Sequence, residues 1–100
     1  MRVIALSTLR VFWENNPQYQ DAREPCLAWY RHVLAADWHS PVAVKADFGN
    51  ASVLKDGRVV FNIAGNKYRL VVWINYAYCV AYVRFIGTHK QYDAIDAQTI

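Results

Sequence analysis

Apolar residues recur at helical spacing before Gly49 and at strand spacing after it, so the chain divides into a helical half and a β-rich half. Residues 2–5 alternate weakly and predict a short strand. Leu6, Leu9, Phe12 and Trp13 then repeat at helical spacing, with Ser7 as the expected N-cap of a helix over 7–15 that Asn15-Asn16-Pro17 closes. A longer helix is predicted from about Gln20 to Ala36. Its apolar face holds Ala22, Cys26, Trp29, Tyr30, Val33 and Leu34. Pro25 suits only an early turn, so regular helix is expected to begin near Glu24. Ser40-Pro41 opens a short helical turn through Ala46, ended by Asp47-Phe48-Gly49-Asn50.

After Gly49 a small strand at Val53-Leu54 meets Asp56-Gly57, a strong hairpin signal. Three strands are predicted next: Arg58 to Ala64, Lys67 to Asn75, and Tyr78 to Ile86. Gly65-Asn66 forms the first turn between them. Asn75-Tyr76-Ala77 forms the second, with Asn75 expected at positive φ. Loops this short imply an antiparallel meander. The expected fold is α+β, with two N-terminal helices packed on one face of a three- to four-stranded antiparallel sheet, in a single domain over 1–100.

Strand parity sorts the faces. On the middle strand Tyr68, Leu70, Val72 and Ile74 are expected under the helices, and Lys67, Arg69, Val71 and Trp73 on the other side. Val59, Phe61 and Ile63 form the apolar set of the first strand. On the last strand that set is expected to be Cys79, Ala81, Val83 and Phe85. The helix-free face therefore gathers Arg58, Asn62, Lys67, Arg69, Tyr82 and Arg84, with no carboxylate among them. Ordinary solvation explains such a face, and anion binding explains it as well.

Composition narrows the class. A chain of 100 residues that is 55% hydrophobic and 15% aromatic can bury one core, and it is not disordered. No apolar run approaches the ~20 residues of a membrane span, and no cleavage site follows the short apolar N-terminus, so a cytoplasmic protein is expected. The net charge of +3 is mild, but its distribution is uneven. Arg58, Lys67, Arg69, Arg84 and Lys90 follow one another without an acid between them, which suits a polyanion or an acidic protein partner. Cys26 and Cys79 lack a CxxC spacing and are expected to be reduced, buried small hydrophobes. His32, His39 and His89 are scattered, so neither a metal nor a cofactor is expected, and His32 and His39 read as structural or solvated.

The chemistry concentrates where the last strand ends, in Arg84-Phe85-Ile86-Gly87-Thr88-His89-Lys90-Gln91-Tyr92-Asp93. Metal-free RNA cleavage needs activation of the ribose 2′-OH, cations for the charged phosphorane and an acid for the leaving 5′-oxygen. His89 suits either proton-transfer role because imidazole titrates near neutrality. A surface or capping histidine is the alternative. Arg69 offers two donors to a phosphate, or is a cross-strand surface arginine. Tyr92 can stack on a base, or pack the C-terminal turn onto the sheet. Lys67, Arg84, Lys90, Asn62 and Arg58 complete the candidate RNA-binding set.

Several segments together resemble the HigB family of bacterial toxin–antitoxin systems, distant relatives of the RelE-type mRNA interferases. They are Arg2-Val3-Ile4, Phe12-Trp13, Trp29-Tyr30, Trp38, Val44 to Phe48, Val60 to Ile63, Gly65 to Leu70, Ile86 to His89 and Tyr92-Asp93. The resemblance implies a small α+β toxin that cleaves mRNA, typically on the translating ribosome, and is silenced by a helix-turn-helix, HigA-like antitoxin. It places the family's arginine at Arg69 and its histidine and tyrosine at His89 and Tyr92. Two other readings stay open on the residues alone: a non-catalytic RNA- or ribosome-binding module, and a protein-interaction domain.

Overall fold

The computed structural model describes residues 1–100. Strand β1 (Arg2–Ile4) leads into α1 (Leu6–Glu14), a 3-10 segment over Pro17–Ala22, and α2 (Arg23–Ala35). Helix α3 (Pro41–Asp47) follows, then β2 (Ser52–Val53), β3 (Arg58–Ile63), β4 (Tyr68–Asn75), β5 (Val80–Thr88) and α4 (His89–Asp93). The α+β class and the antiparallel β2–β3–β4–β5 succession agree with the hydrophobic pattern. The sheet is nonetheless five-stranded and mixed, ordered β1-β5-β4-β3-β2, because β1 pairs in parallel with β5. Three residues are too few to show a pairing partner by alternation.

Local chemistry fixes the element ends. Ser40 caps α3 by accepting from the Ala43 amide, as its position before Pro41 suggests. Ser7 does not cap α1. That position belongs to Ala5, whose methyl group cannot accept a hydrogen bond, and Ser7 lies inside the helix. Pro25 stands in the first turn of α2, where its missing N–H costs nothing. Between β2 and β3, Asp56 (φ 57°) and Gly57 (φ 82°) both take the left-handed conformation of a tight hairpin. A Cβ on Gly57 would stand 2.5 Å from the Ile74 carbonyl oxygen, so glycine is required there. Past β4 the left-handed residue is Cys79 (φ 55°), not Asn75, which ends the strand and accepts the Tyr78 amide on its side chain. Cys79 is accordingly a half-buried turn residue and not part of a buried strand.

One core lies between the sheet and helices α1, α2 and α3. It joins Leu9, Phe12, Trp13, Cys26, Trp29, Val33, Trp38 and Val44 to Val59, Phe61, Ile63, Tyr68, Leu70, Val72, Ile74, Ala81 and Val83. Parity therefore holds on β3, on β4 and on the first half of β5. It fails beyond Val83. Val72 faces Val83 while Val71 faces Phe85, so Arg84 is the extra residue of a β-bulge. The bulge reverses the faces: Ile86 packs against the main core, and Phe85 turns to the opposite side.

That opposite side is partly covered. A second cluster unites Val60, Val71 and Ala97, with Leu54, Phe85, Tyr92, Ile95 and Ile100 packed around it. The C-terminal segment crosses the sheet instead of trailing into solvent. Gln98 ties it down by donating to the Lys55 carbonyl at 2.6 Å and accepting the Lys55 amide at 2.9 Å.

Candidate active site

Arg69, His89 and Tyr92 meet at the end of the sheet where β4 begins and β5 stops. Arg69 is half-buried on the face away from the helical core, paired across the sheet with Asn62 on one side and Gly87 on the other. Its Nε donates to His89 Nε2 at 3.3 Å, and its guanidinium carbon lies 5.4 Å from the centre of the Tyr92 ring. His89 and Tyr92 occupy positions i and i+3 of α4, so one helical turn presents both to the arginine.

The turn is held by its own backbone chemistry. Thr88 accepts the Gln91 amide on Oγ1 at 3.2 Å, and Gln91 Oε1 accepts the Thr88 amide at 2.8 Å. This reciprocal capping box fixes His89 as the first residue of α4, one step beyond the end of β5, which itself runs past the Ile86 predicted to close it. Gly87 makes the closure possible. A Cβ there would stand 2.6 Å from the Phe85 ring and 2.7 Å from Gln91 Oε1. The Thr-x-x-Gln pattern was readable in the sequence as a capping box. The role of Gly87 was not, because it depends on where the bulge sends Phe85.

The Arg69 Nε–H donates to His89 Nε2, which accepts through its ring lone pair. The site thus holds a fixed cation, an imidazole with a lone pair turned toward it, and an aromatic plane behind the cation. Such a set can grip a phosphate in two places and move a proton beside it.

The other candidates are dispersed. Lys90 is exposed on α4. Arg84, on the bulge, donates through Nε to the Ile100 carbonyl at 3.4 Å, and Arg58 does the same to the Gln98 carbonyl at 3.3 Å. Asn62 donates to the Asn50 carbonyl at 3.3 Å. Lys67 lies in the turn before β4 and reaches to the helical side, where it pairs with Asp21. The Tyr68 hydroxyl donates to the same carboxylate. These two donors, Lys67 first, hold the Asp21 carboxyl below the usual carboxylate range. Asp21 is a partner that no spacing in the sequence reveals.

His32 and His39 stand apart from the site. His32 packs on Phe48 and lies 3.2 Å from Asp47, which also accepts from the Trp38 indole at 2.8 Å. A cleft of about 370 Å³ lined by Trp29, His32, Phe48 and Asn62 touches none of Arg69, His89 or Tyr92. Arg69, His89 and Tyr92 are each only half-buried and line no cleft, so the site is an open surface that a polymer can reach.

A mixed sheet with α1, α2 and α3 packed on one side fits the class of RelE-like toxins, the toxic components of toxin–antitoxin systems. Residues 22–95 match the HigB toxin model, whose description is a RelE-like toxic component of a toxin–antitoxin system, and the chain belongs to that family. An antitoxin partner follows from that membership. The chain is 28% identical over 99 residues to the mRNA interferase toxin HigB of Escherichia coli (strain K12), covering 97% of this chain and 92% of that protein. The mRNA interferases HigB of Escherichia coli O157:H7 and Shigella flexneri match to the same extent. No helix of the chain is long and apolar enough to cross a membrane.

Proposed function

We infer that the chain is an endoribonuclease that cleaves mRNA without a catalytic metal, and that Arg69, His89 and Tyr92 form its catalytic group. The observation that carries this reading is the 3.3 Å contact between the Arg69 guanidinium and the His89 imidazole, with Tyr92 stacked behind it. Toxin family membership and the mRNA interferase names of the relatives supply the substrate.

In this mechanism the scissile phosphate inserts between Arg69 and His89. The guanidinium takes two non-bridging oxygens and releases His89 Nε2 for proton transfer. The ribose 2′-oxygen bonds to phosphorus as the bond to O5′ breaks. The 2′-OH proton leaves to a base, and O5′ receives one from an acid. The products are a 2′,3′-cyclic phosphate and a 5′-hydroxyl. Stabilising the phosphorane charge by a fixed cation is worth about 2–4 kcal/mol, the largest single contribution available here. Tyr92 holds the guanidinium plane and offers a face to a neighbouring base.

The substrate strand is mRNA on the translating ribosome, which puts the protein's work in the cytoplasm. Lys90 extends the cationic ledge. Arg84 and Arg58 use only Nε in their bonds to the C-terminal segment, so their terminal nitrogens are left for phosphates, and Asn62 borders Arg69 from the next strand. Lys67 contributes least, since Asp21 neutralises it. The silencing partner is a helix-turn-helix antitoxin of the HigA kind. Expression of the chain alone should arrest growth and fragment mRNA, and His89→Ala should relieve both. Arrest by wild type with mRNA left intact would mean that the chain acts by binding alone.

A further inference from the structure

The sequence separates His39 from Cys79 by two-fifths of the chain, and the fold brings them together. Asp37 and His39 project from the link between α2 and α3, and Cys79 ends the turn between β4 and β5. One ligand atom from each (a carboxylate oxygen, an imidazole nitrogen and the thiol sulfur) lies within 4.8 Å of the others. His39 Nε2 and Asp37 Oδ1 are already 3.1 Å apart. We propose that Asp37, His39 and Cys79 form a binding site for a divalent cation of the zinc class, with water in the fourth position.

Geometry and ligand chemistry agree on this cation. Zinc bonds of about 2.3 Å to sulfur and about 2.0–2.2 Å to nitrogen and oxygen put neighbouring tetrahedral ligands roughly 3.3–3.8 Å apart. The carboxylate–imidazole contact is near that spacing, and the thiol closes the rest by rotation of exposed side chains. Thiolate and imidazole together exclude magnesium and calcium, which take oxygen ligands. The backbone around the three residues is fixed independently of any ion. The Arg2 amide donates to the Cys79 carbonyl at 2.9 Å, and the Met1 ammonium donates to the carbonyls of Val33, Leu34 and Ala36 at the end of α2. Met1 and Arg2 therefore hold the two ligand-bearing segments from neighbouring positions.

Binding converts the Cys79 thiol, which now donates weakly to the Tyr76 carbonyl, into a metal-bound thiolate, and its proton passes to solvent. The bound cation would cross-link the α2–α3 link to the β4–β5 turn. Arg69 and Asn75 stand at opposite ends of β4, about 20 Å apart at roughly 3.3 Å per strand residue, so this cation stabilises the fold and takes no part in RNA cleavage. The proposal is independent of the catalytic reading.

Cobalt(II) reports on it, because a cobalt–thiolate bond gives a charge-transfer absorption in the near ultraviolet. Tag-free, reduced, metal-stripped protein should bind one cobalt per chain with that absorption, and zinc should displace it. Cys26 does not compete: it is fully buried, and burial pushes its thiol up to about 12. Cys79→Ser should abolish the absorption, and His39→Gln should weaken binding by at least about tenfold. Zinc should raise the Tm of wild type and leave that of Cys79→Ser unchanged, while both cleave RNA equally. Absence of the absorption in wild type, its survival in Cys79→Ser, or cobalt affinity unchanged by His39→Gln would overturn the proposal.

Discussion

Arg69 donates from Nε to His89 Nε2 at 3.3 Å, a bond that exists only while that imidazole nitrogen is unprotonated. The two side chains come from different elements, β4 and α4, and their meeting depends on the bulge at Arg84 and the capping box at Thr88. Arginine and histidine thus hold each other in place.

Arg69→Ala should lower RNA cleavage by about 30- to 10³-fold, the effect of losing about 2–4 kcal/mol of transition-state stabilisation. Its contact with Tyr92 is worth only about 0.5–1 kcal/mol, so thermal unfolding should move little. Arg69→Lys should recover only part of the rate, because an ammonium cannot hold two oxygens in a plane. A collapse of Tm alongside activity would make Arg69 a structural residue.

His89→Gln keeps a hydrogen-bonding side chain and removes proton transfer. It should bind RNA and antitoxin as wild type does, with turnover lost. Wild-type cleavage should depend on pH, and the residual activity of the variant should lose that dependence. A variant that cleaves at the wild-type rate leaves His89 with a positioning role only.

Gly87→Ala should damage the site without touching it. The new methyl meets Phe85 and Gln91, so the Gln91 side chain must leave the Thr88 amide and half of the capping box is lost. The expected cost is about 1 kcal/mol by urea denaturation, with a fall in kcat from the displaced His89. Unchanged stability and kcat would show that α4 needs no such cap.

Asp21 should make the fold acid-sensitive. Hydrogen bonds from Lys67 and then Tyr68 depress its folded-state pKa, so the pair's contribution is fully present above the unfolded carboxyl value of about 3.9 and disappears as pH falls below it. Lys67 is raised by the same contact, so the contribution fades again at alkaline pH, above the ordinary lysine value. Asp21→Asn should therefore be less stable than wild type at pH 7, by a margin that shrinks at pH 2. A constant difference at both pH values would contradict the assignment.

Alternation placed Tyr68, Leu70, Val72 and Ile74 in the core and left Arg69 outside it, because one face of a strand is buried and the period is two. The same rule misassigned Phe85 and Ile86, since both are apolar and a one-residue bulge leaves no mark between them. Arg69, His89 and Tyr92 came from motif resemblance joined to parity. The Asp21 partner of Lys67, the tail carbonyls on Arg58 and Arg84, and the meeting of His39 with Cys79 are long-range contacts. A single sequence encodes those only through its complete fold.

The chemistry of the cut ends tests the central claim most directly. With mRNA cleaved on translating ribosomes, wild type should leave a 2′,3′-cyclic phosphate upstream and a 5′-hydroxyl downstream, and Arg69→Ala and His89→Gln should leave neither above background. Ends carrying a 5′-phosphate, or cyclic-phosphate ends formed at the wild-type rate by both variants, would contradict an active site built on Arg69 and His89.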